Sequence, residues 1–387
     1  MFNFKVFNLR PGLVKRYQAW SVTEKRHQQR FVGVCAVTLM SFISLPVASV
    51  AADSAPTAES PGSVNASNCV LGEAPQRVYA ANPIVTYLMM AMAPEKLVGW
   101  NFPPPAQAQG IFPKESFAKP VIGGWFGQGR SPNMEELVRA RPDFMLMSGA
   151  TVHTDQQTAL HKMGIPVCTL KLETLEDYPQ DIRQLGVWLQ QSERAEALAK
   201  DMEQRLESLA KNRAALDALG LKKTVFYAES NSGLATECRG SIHSQSLPLA
   251  GALNPHNCPN VSTKQGQFGR VDINFEQLLR YNPDAIVTQE IGFYEQVYRN
   301  PKWQSLKAVQ NRQVFFMPQV PYRWMDRPPT FMRVLAAQWL MTKLYPEQEL
   351  YDMAAETKAM IQLFFKTELT AEQIEAILQG DIVDERR

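Results

Sequence analysis

Aromatic and arginine side chains are concentrated in the segments expected to follow the strands of this 387-residue chain. Aromatic rings stack on flat apolar groups, and guanidinium groups bind anions through paired hydrogen bonds. Together they suit a flat, partly apolar, anionic small molecule. The residues predicted to contact such a ligand are Asn82, Trp100, Trp125, Phe126, Arg130, Tyr227, Glu229, Arg239, His243, Tyr294, Tyr322, Arg323, Trp324 and Arg327. For each aromatic residue the alternative is an ordinary place in the core.

Among the histidines, His243 is the best candidate for direct contact with a ligand, because it lies at the start of a helix predicted for residues 241–250. A capping or core role is the alternative for this side chain. His153 and His161 are eight residues apart, but no glutamate stands where a zinc hydrolase needs one. The segment GGWFGQGR (123–130) lacks the Lys-Ser/Thr ending and the glycine spacing of a phosphate-binding loop. The sequence therefore predicts no catalytic residue, no cofactor and no resident metal.

Four cysteines follow the N-terminal segment: Cys69, Cys168, Cys238 and Cys258. An even number in an oxidising compartment favours disulfides. Cys238 and Cys258 are the favoured pair, since they close a short loop that would contribute about 3 kcal/mol. A structural metal site is the alternative, because His243 and His256 lie between them. The pairing of the other two cysteines is left open.

The N-terminus is typical of an export signal. Residues 1–52 carry seven basic and one acidic side chain, and an apolar run starts at Phe31 and ends before the small residues Ala51 and Ala52. An uncleaved membrane anchor is the alternative. Without these residues, 33 basic and 37 acidic side chains remain. A mildly acidic body gives no reason to expect nucleic-acid binding. From the export signal we expect a periplasmic protein, and we expect it to be a monomer. Residues 53–72 are rich in Ser, Ala and Pro and predict a flexible leader.

One segment recurs in the chain: NMEELVRARPDFMLM (133–147) is followed 141 residues later by NFEQLLRYNPDAIVT (274–288). Each copy predicts a short helix that stops before a proline and leads into a strand. Ser131 and Asp272 are the expected N-caps, which would place Glu135 and Glu276 in the first helical turn. A helix–strand unit repeated once at this distance indicates two similar lobes.

The longest helical pattern, residues 192–219, lies between the two copies. Ser192 is its expected N-cap and Gly220 ends it. Its 28 residues would span about 42 Å. A long surface helix within one domain is the alternative. Elsewhere strands and helices alternate, which predicts an α/β fold of two Rossmann-like lobes with central parallel sheets, joined by one long rigid helix. The expected bounds are 73–190, 191–220 and 221–387.

The whole mature chain resembles the periplasmic binding proteins for iron–siderophores and cobalamin that serve ABC importers. The resemblance is carried by RVYAANPIVTYLMMAMAPEKLVGW (77–100), by both copies of the repeat and by the helix between them. It implies that Glu135 and Glu276 dock on arginines of a transmembrane permease. It also implies a ligand held between two lobes that move little, and a protein that carries out no chemistry.

Two further segments are similar to a branch of that family described as binders of iron complexes or metal chelates. They are YAESNSGLATECRGSIH (227–243) and PYRWMDRPPT (321–330). No His/Glu/Asp set is expected to converge, which favours a chelate, or an oxyanion held by Arg, Tyr and His, over a bare metal. The predicted ligand is an iron(III)–siderophore or related metal chelate. The alternatives are cobalamin, haem, a nickel chelate or molybdate, or a periplasmic metalloenzyme using His243 and His256.

Overall fold

Strands and helices alternate along the computed structural model, which describes residues 69, 71–126, 130–149, 164–258 and 269–380. The strands are β1 Val78–Ala80, β2 Phe144–Ser148, β3 Val167–Leu170, β4 Lys223–Ala228, β5 Ala235–Thr236, β6 Ala252–Leu253, β7 Val271–Asp272, β8 Ala285–Thr288 and β9 Val314–Phe316. The helices are α1 Pro83–Met92, α2 Met134–Ala140, α3 Tyr178–Leu189, α4 Ser192–Ala218, α5 Ser246–Leu249, α6 Phe275–Tyr281, α7 Ile291–Val297, α8 Lys307–Gln310, α9 Arg333–Leu344, α10 Met353–Phe365 and α11 Ala371–Gln379. Short 3-10 turns cover Pro94–Lys96, Ala106–Ala108, Lys114–Ala118, Leu175–Asp177, Ile242–Ser244, Trp303–Ser305 and Pro346–Gln348.

Several predicted features fall outside the described residues. They are the export signal at 1–52, most of the leader at 53–72, and both His153 and His161. The end of the leader is attached to the fold, because Cys69 forms a disulfide with Cys168 and its carbonyl accepts a hydrogen bond from Trp188 (3.0 Å). No helix among the described residues is long and apolar enough to cross a membrane.

Two parallel sheets form the centre of the fold. The first has the order β1-β2-β3, and the second has the order β6-β4-β8-β9. All five residues of β2 are buried, as expected for a strand of a parallel sheet covered on both faces. A two-stranded antiparallel ribbon, β5-β7, accompanies the second sheet. Residues 97–100 form only a pair of isolated bridges, from Leu97 to Val78 and from Trp100 to Val121. The α/β class with central parallel sheets is confirmed.

The two copies of the repeat form equivalent elements, α2 with β2 and α6 with β8. The expected N-caps were wrong: the caps are Asn133 and Asn274, whose side chains accept backbone N–H groups of the first turn. A capping side chain accepts the backbone N–H of a residue two or three positions later in the chain. Asn133 and Asn274 stand at that distance from the N–H groups that they accept. Glu135 and Glu276 lie in the first turns, as predicted.

Helix α4 is the long helix predicted between the sheets, and one parallel sheet lies on each side of it in the sequence. The expected cap at Ser192 was wrong, since the helix begins after Gln191 without a side-chain cap. Helix α3 packs closely on α4 at Gly186, where an added Cβ would come within 2.3 Å of Ala195 Cβ. Arg205, buried on α4, donates to Glu356 (2.6 Å) on α10 and so attaches the long helix to the C-terminal helices. We propose lobe bounds of 73–190 and 221–387, on either side of this helix.

An aromatic cluster joins the two lobes. Tyr87 from α1 stacks on Tyr322 at 3.8 Å between ring centroids. Phe112 packs on both of these rings and on Phe365 of α10, at centroid distances of 5.2 to 6.3 Å. Phe331 adds edge contacts to Tyr322. Because aromatic pairs stabilise beyond the area they bury, this cluster resists separation of the lobes.

Candidate functional site

Arg327 is the centre of a charged cluster at the carboxyl edge of the second sheet, where open parallel sheets bind ligands. Its Nε donates to Glu229 Oε1 (2.8 Å), and its Nη2 donates to Glu229 Oε2 (3.2 Å) and to Glu237 Oε1 (2.7 Å). Asp326 forms a short hydrogen bond with His243 Nδ1. We call Glu229, Glu237, His243, Asp326 and Arg327 the Arg327 cluster.

The Arg327 cluster is assembled from several elements. Glu229 follows β4, Glu237 follows β5, and His243 lies in the 3-10 turn before α5. Asp326 and Arg327 belong to the segment between β9 and α9. Arg327 itself adopts φ +57°, a left-handed conformation that costs a non-glycine residue about 1 kcal/mol or more and is common at functional sites.

The carboxylates of the cluster are buried, whereas the Arg327 side chain is 34% exposed. Burial raises the pKa of Glu229 to about 7, although Arg327 acts in the opposite direction. Burial alone would lower the pKa of His243, but Asp326 and Glu237 outweigh it and the net pKa is raised. Three buried carboxylates thus share one guanidinium and one imidazole. Burial raises the pKa of Glu229 and Glu237, whereas at Asp326 the charges of His243 and Arg327 outweigh burial and lower the pKa.

Gln289, which follows β8, holds the segment that carries Asp326. Its side-chain oxygen accepts from the backbone N–H groups of Met325 (3.1 Å) and Asp326 (3.3 Å). Its amide nitrogen donates to the Asp326 carbonyl (3.1 Å) and to the Tyr227 hydroxyl (2.9 Å). Gln289 was missed in the sequence, as were Glu237 and Asp326. The only signal was that the two acids directly precede Cys238 and Arg327, respectively.

The remaining predicted arginines of the second lobe lie at the surface. Arg323, 31% exposed, donates to both carboxylate oxygens of Glu290 (2.9 and 3.4 Å). Arg239 is exposed and donates through Nε to the Asn254 carbonyl (3.0 Å). Tyr294 is half-buried and packs on Phe316 (5.4 Å). Arg323 and Arg327 lie in the same loop, and both side chains are partly exposed to solvent.

The first lobe contributes an aromatic–arginine patch made of Phe102, Phe126 and Arg130. The two phenylalanine rings are 4.6 Å apart, and the Arg130 guanidinium lies 5.7 and 5.8 Å from their centroids. Arg130 is exposed, as is Phe102. The sequence prediction included Phe126 and Arg130 but not Phe102. This patch could stack on a flat group and contact an anion at the same time.

The other predicted contact residues are buried: Asn82, Trp100, Trp125, Tyr227, Tyr322 and Trp324. Asn82 caps α1, accepting from Ile84 N and Val85 N. The indole N–H groups of Trp100 and Trp324 donate to backbone carbonyls at 2.7 Å. Their burial favours the core interpretation that the sequence left open for the aromatic residues.

Three potential metal-ligand atoms converge in the Arg327 cluster, which corrects the expectation that no His/Glu/Asp set does so. The nearest such atoms of Glu237, His243 and Asp326 all lie within 4.8 Å of one another. The sequence could not show this, since His243 and Asp326 are 83 residues apart and the fold brings them together. Within the cluster, the Arg327 guanidinium supplies positive charge where a cation would otherwise do so.

The cysteine pair next to the cluster is a disulfide, Cys238–Cys258, with its Cα atoms 5.6 Å apart. It is the pair that the sequence favoured. His256 lies beside it, with Nδ1 bonded to the Tyr281 hydroxyl (2.8 Å) and Nε2 at 3.2 Å from Cys258 Sγ. While Cys238 and Cys258 are bonded to each other, neither offers the thiolate that the alternative, a structural metal site, needs.

Known proteins resemble this chain over most of its length. A family model described as periplasmic binding protein matches residues 125–321. The solved ABC transporter solute binding protein of Sulfurospirillum deleyianum is 35% identical, with a TM-score of 0.72, over 80% of this chain and 95% of that one. The vitamin B12-binding protein of Pectobacterium atrosepticum is 27% identical over 70% of this chain and 88% of its own length. The high-affinity heme uptake system protein IsdE of Staphylococcus aureus is 26% identical over 51% and 66%. The chain therefore belongs to the periplasmic binding protein family that serves ABC importers.

Proposed function

We propose that this chain captures an iron(III)–siderophore or a related metal chelate between its two lobes and delivers it to a membrane permease. The observation that carries this ligand class is the pair of solvent-open arginines in one loop of the second lobe. Arg323 Nε and Arg327 Nη1 make no hydrogen bond to any described residue. Each guanidinium is held by carboxylates and still has a donor to offer to an anionic ligand.

The first-lobe patch supports the same ligand class. Phe102 and Phe126 provide apolar rings, and Arg130 provides a further cation beside them. A metal chelate with aromatic or carboxylate groups would combine both kinds of contact. Two surfaces of this kind on either side of a cleft would hold the ligand without any covalent step.

A panel of metal complexes tests the ligand class. Ferric chelates at micromolar or lower concentrations should quench tryptophan fluorescence, and a ligand at 100 times its Kd should add about 2.7 kcal/mol to the free energy of unfolding. Cobalamin, haem, a nickel chelate and molybdate belong in the same panel, because two of the relatives are named for vitamin B12 and heme. A response to one of these alone would replace the siderophore proposal. No response to any ferric chelate would contradict it.

Arg323→Gln tests the role of the arginine pair in ligand binding. Arg323 contacts only a partly exposed glutamate, so its loss should weaken chelate binding about tenfold, or 1.4 kcal/mol, with little effect on folding. Arg299→Gln is the matched control, since Arg299 is exposed and its side chain makes no ion pair among the described residues. Equal affinity of the two variants would show that Arg323 does not contact the ligand.

Glu135 and Glu276 are proposed to dock on basic residues of the permease. Both are exposed in the first turn of equivalent helices, and neither makes an ion pair within the described part of the chain. Charge reversal, Glu135→Lys or Glu276→Lys, should impair uptake and leave chelate affinity unchanged. A fall in affinity would instead assign the glutamates to the ligand site.

We propose that residues 1–52 are removed and that the mature chain acts in the periplasm as a monomer. Intact-mass measurement of protein purified from the periplasm should give a chain that begins near Asp53. Retention of the N-terminal segment in a membrane fraction would favour the anchor instead.

A further inference from the structure

The repeated segment shows which of its matched residues the fold itself requires. Of the six identical pairs, Asn133 and Asn274 cap their helices, and Leu137 and Leu278 are fully buried. Asp143 and its counterpart Asp284 accept backbone N–H groups from the neighbouring strand region, at Arg77 (2.9 Å) and Thr224 (2.7 Å) respectively. The prolines of both copies are buried. Packing and capping therefore account for four of the six pairs.

The other two identical pairs are exposed. They are Glu135 with Glu276, and Arg139 with Arg280. Ion pairing between positions i and i+4 would explain them within a helix, but the structure does not show it. Arg139 is bonded to Glu136 (2.6 Å), and Arg280 forms no ion pair among the described residues. The recurrence of these exposed charges is therefore not explained within the chain.

An exposed aliphatic residue accompanies each glutamate one turn later. Val138 is 58% exposed on α2, and Leu279, which occupies the same place on α6, is 41% exposed. Eight large hydrophobic side chains are exposed in the described part of the chain, and with Met134 (43%) three of them lie on these two seven-residue helices. Isolated exposed apolar residues are normal, but matched ones at equivalent positions beside matched glutamates are not expected by chance.

Topology places both faces at corresponding positions. Each helix is followed after a three-residue turn by a strand of a parallel sheet, β2 or β8. A helix that feeds a strand in this way runs against it, so its first turn lies at the carboxyl edge of the sheet. Both glutamates thus lie on the ligand-binding side of their own lobe.

We propose that Val138 and Leu279 are apolar anchors of the docking surface. The partner is a membrane permease that presents the same feature twice, an apolar pocket beside a basic residue. This inference rests on the proposed function, because it takes the partner that docks on these two helices to be the membrane permease. Charge complementarity favours a basic partner at Glu135 and Glu276. The matched aliphatic residues favour a pocket rather than a flat polar surface, because a buried apolar side chain contributes binding free energy that an exposed salt bridge does not.

Photo-crosslinking identifies the partner in cells. Benzoylphenylalanine placed at position 138 or 279 of the full chain should crosslink to the same integral-membrane protein. Position 187 is the matched control, because Val187 is 62% exposed on α3, outside the repeat. Crosslinks from positions 138 and 279 to different proteins, or an equal yield from position 187, would overturn the proposal.

Binding to the captured permease in nanodiscs then separates the two proposals. Val138→Ser and Leu279→Ser should each raise the Kd about tenfold, and Val187→Ser should leave it unchanged. If the serine variants bind like wild type while Glu135→Lys and Glu276→Lys lose binding, the anchors are refuted and the docking glutamates stand. If the lysine variants also bind like wild type, the proposed docking fails as a whole. Thermal unfolding of each variant checks that these surface substitutions leave the fold intact.

Discussion

Arg327→Met removes the guanidinium that Glu229, Glu237 and Asp326 share and keeps a side chain of similar length. Removing one partner of a buried ion pair costs about 3–5 kcal/mol. The Arg327 side chain is 34% exposed, so part of its interaction is screened by water. We therefore expect the free energy of unfolding to fall by about 2–3 kcal/mol.

The loss in Arg327→Met should depend on pH in a definite direction. The pKa of Glu229 is already raised to about 7 by burial, and removal of the arginine takes away a group that lowers it. The folded variant then holds more protons than the unfolded chain between the ordinary pKa of glutamate and the raised value. Stability therefore falls as the pH rises through that window. The difference from wild type should be smaller at about pH 5 than at about pH 8.

Urea unfolding at both pH values measures this difference, with Arg323→Met as the matched control. Arg323 lies in the same loop but pairs with Glu290, and both side chains are partly exposed. We expect the control to lose less than about 1 kcal/mol. Adding Glu229→Gln to Arg327→Met should restore part of the stability at the higher pH. An equal loss in the two arginine variants, or a loss that grows toward low pH, would refute the account of the Arg327 cluster.

Three further substitutions test other parts of the structure. Asn82→Ala should lower the free energy of unfolding by about 1 kcal/mol, because α1 loses its N-cap, and should leave chelate affinity unchanged. Weaker chelate binding without a loss of stability would instead show that Asn82 contacts the ligand. Arg205→Met should cost about 3 kcal/mol, and Glu356→Gln in the same chain should recover part of it in urea unfolding; additive losses would show that the two side chains do not interact. Cys238→Ser should cost about 3 kcal/mol for a loop of this length; unfolding of the wild type that is insensitive to reductant would contradict a role for the Cys238–Cys258 disulfide.

Local signals allowed much of the fold to be predicted. The prolines after α2 and α6 and Gly220 after α4 all act within a few residues of where they are read. The helix caps were harder, because two polar residues compete within three positions. Ser131 precedes a proline suited to the first helical turn, yet Asn133 is the side chain that reaches the free N–H groups of α2.

The Arg327 cluster could not be predicted as a unit, because its members come from two segments, 229–243 and 326–327, that are far apart in the chain. Glu229 and Arg327 are separated by 98 residues, and His243 and Asp326 by 83. Only the order of the second sheet brings them to one edge, and no spacing rule encodes that order. Glu229, His243 and Arg327 were selected from the sequence individually, whereas the buried acids that hold them were not.

Aromatic residues misled the sequence interpretation because a place in a loop does not imply exposure. Tyr322 lies in the same loop as the two solvent-open arginines, yet it is buried against Tyr87 and Phe112 of the other lobe. These rings hold the lobes together and so limit how far the lobes can move apart. Under the proposed function, recognition then falls to side chains that solvent reaches, such as Arg130, Arg323 and Arg327. If the ligand binds between lobes held in this way, as we propose, the exposed guanidinium donors would select for its charge, which favours an anionic chelate over a neutral molecule of similar size.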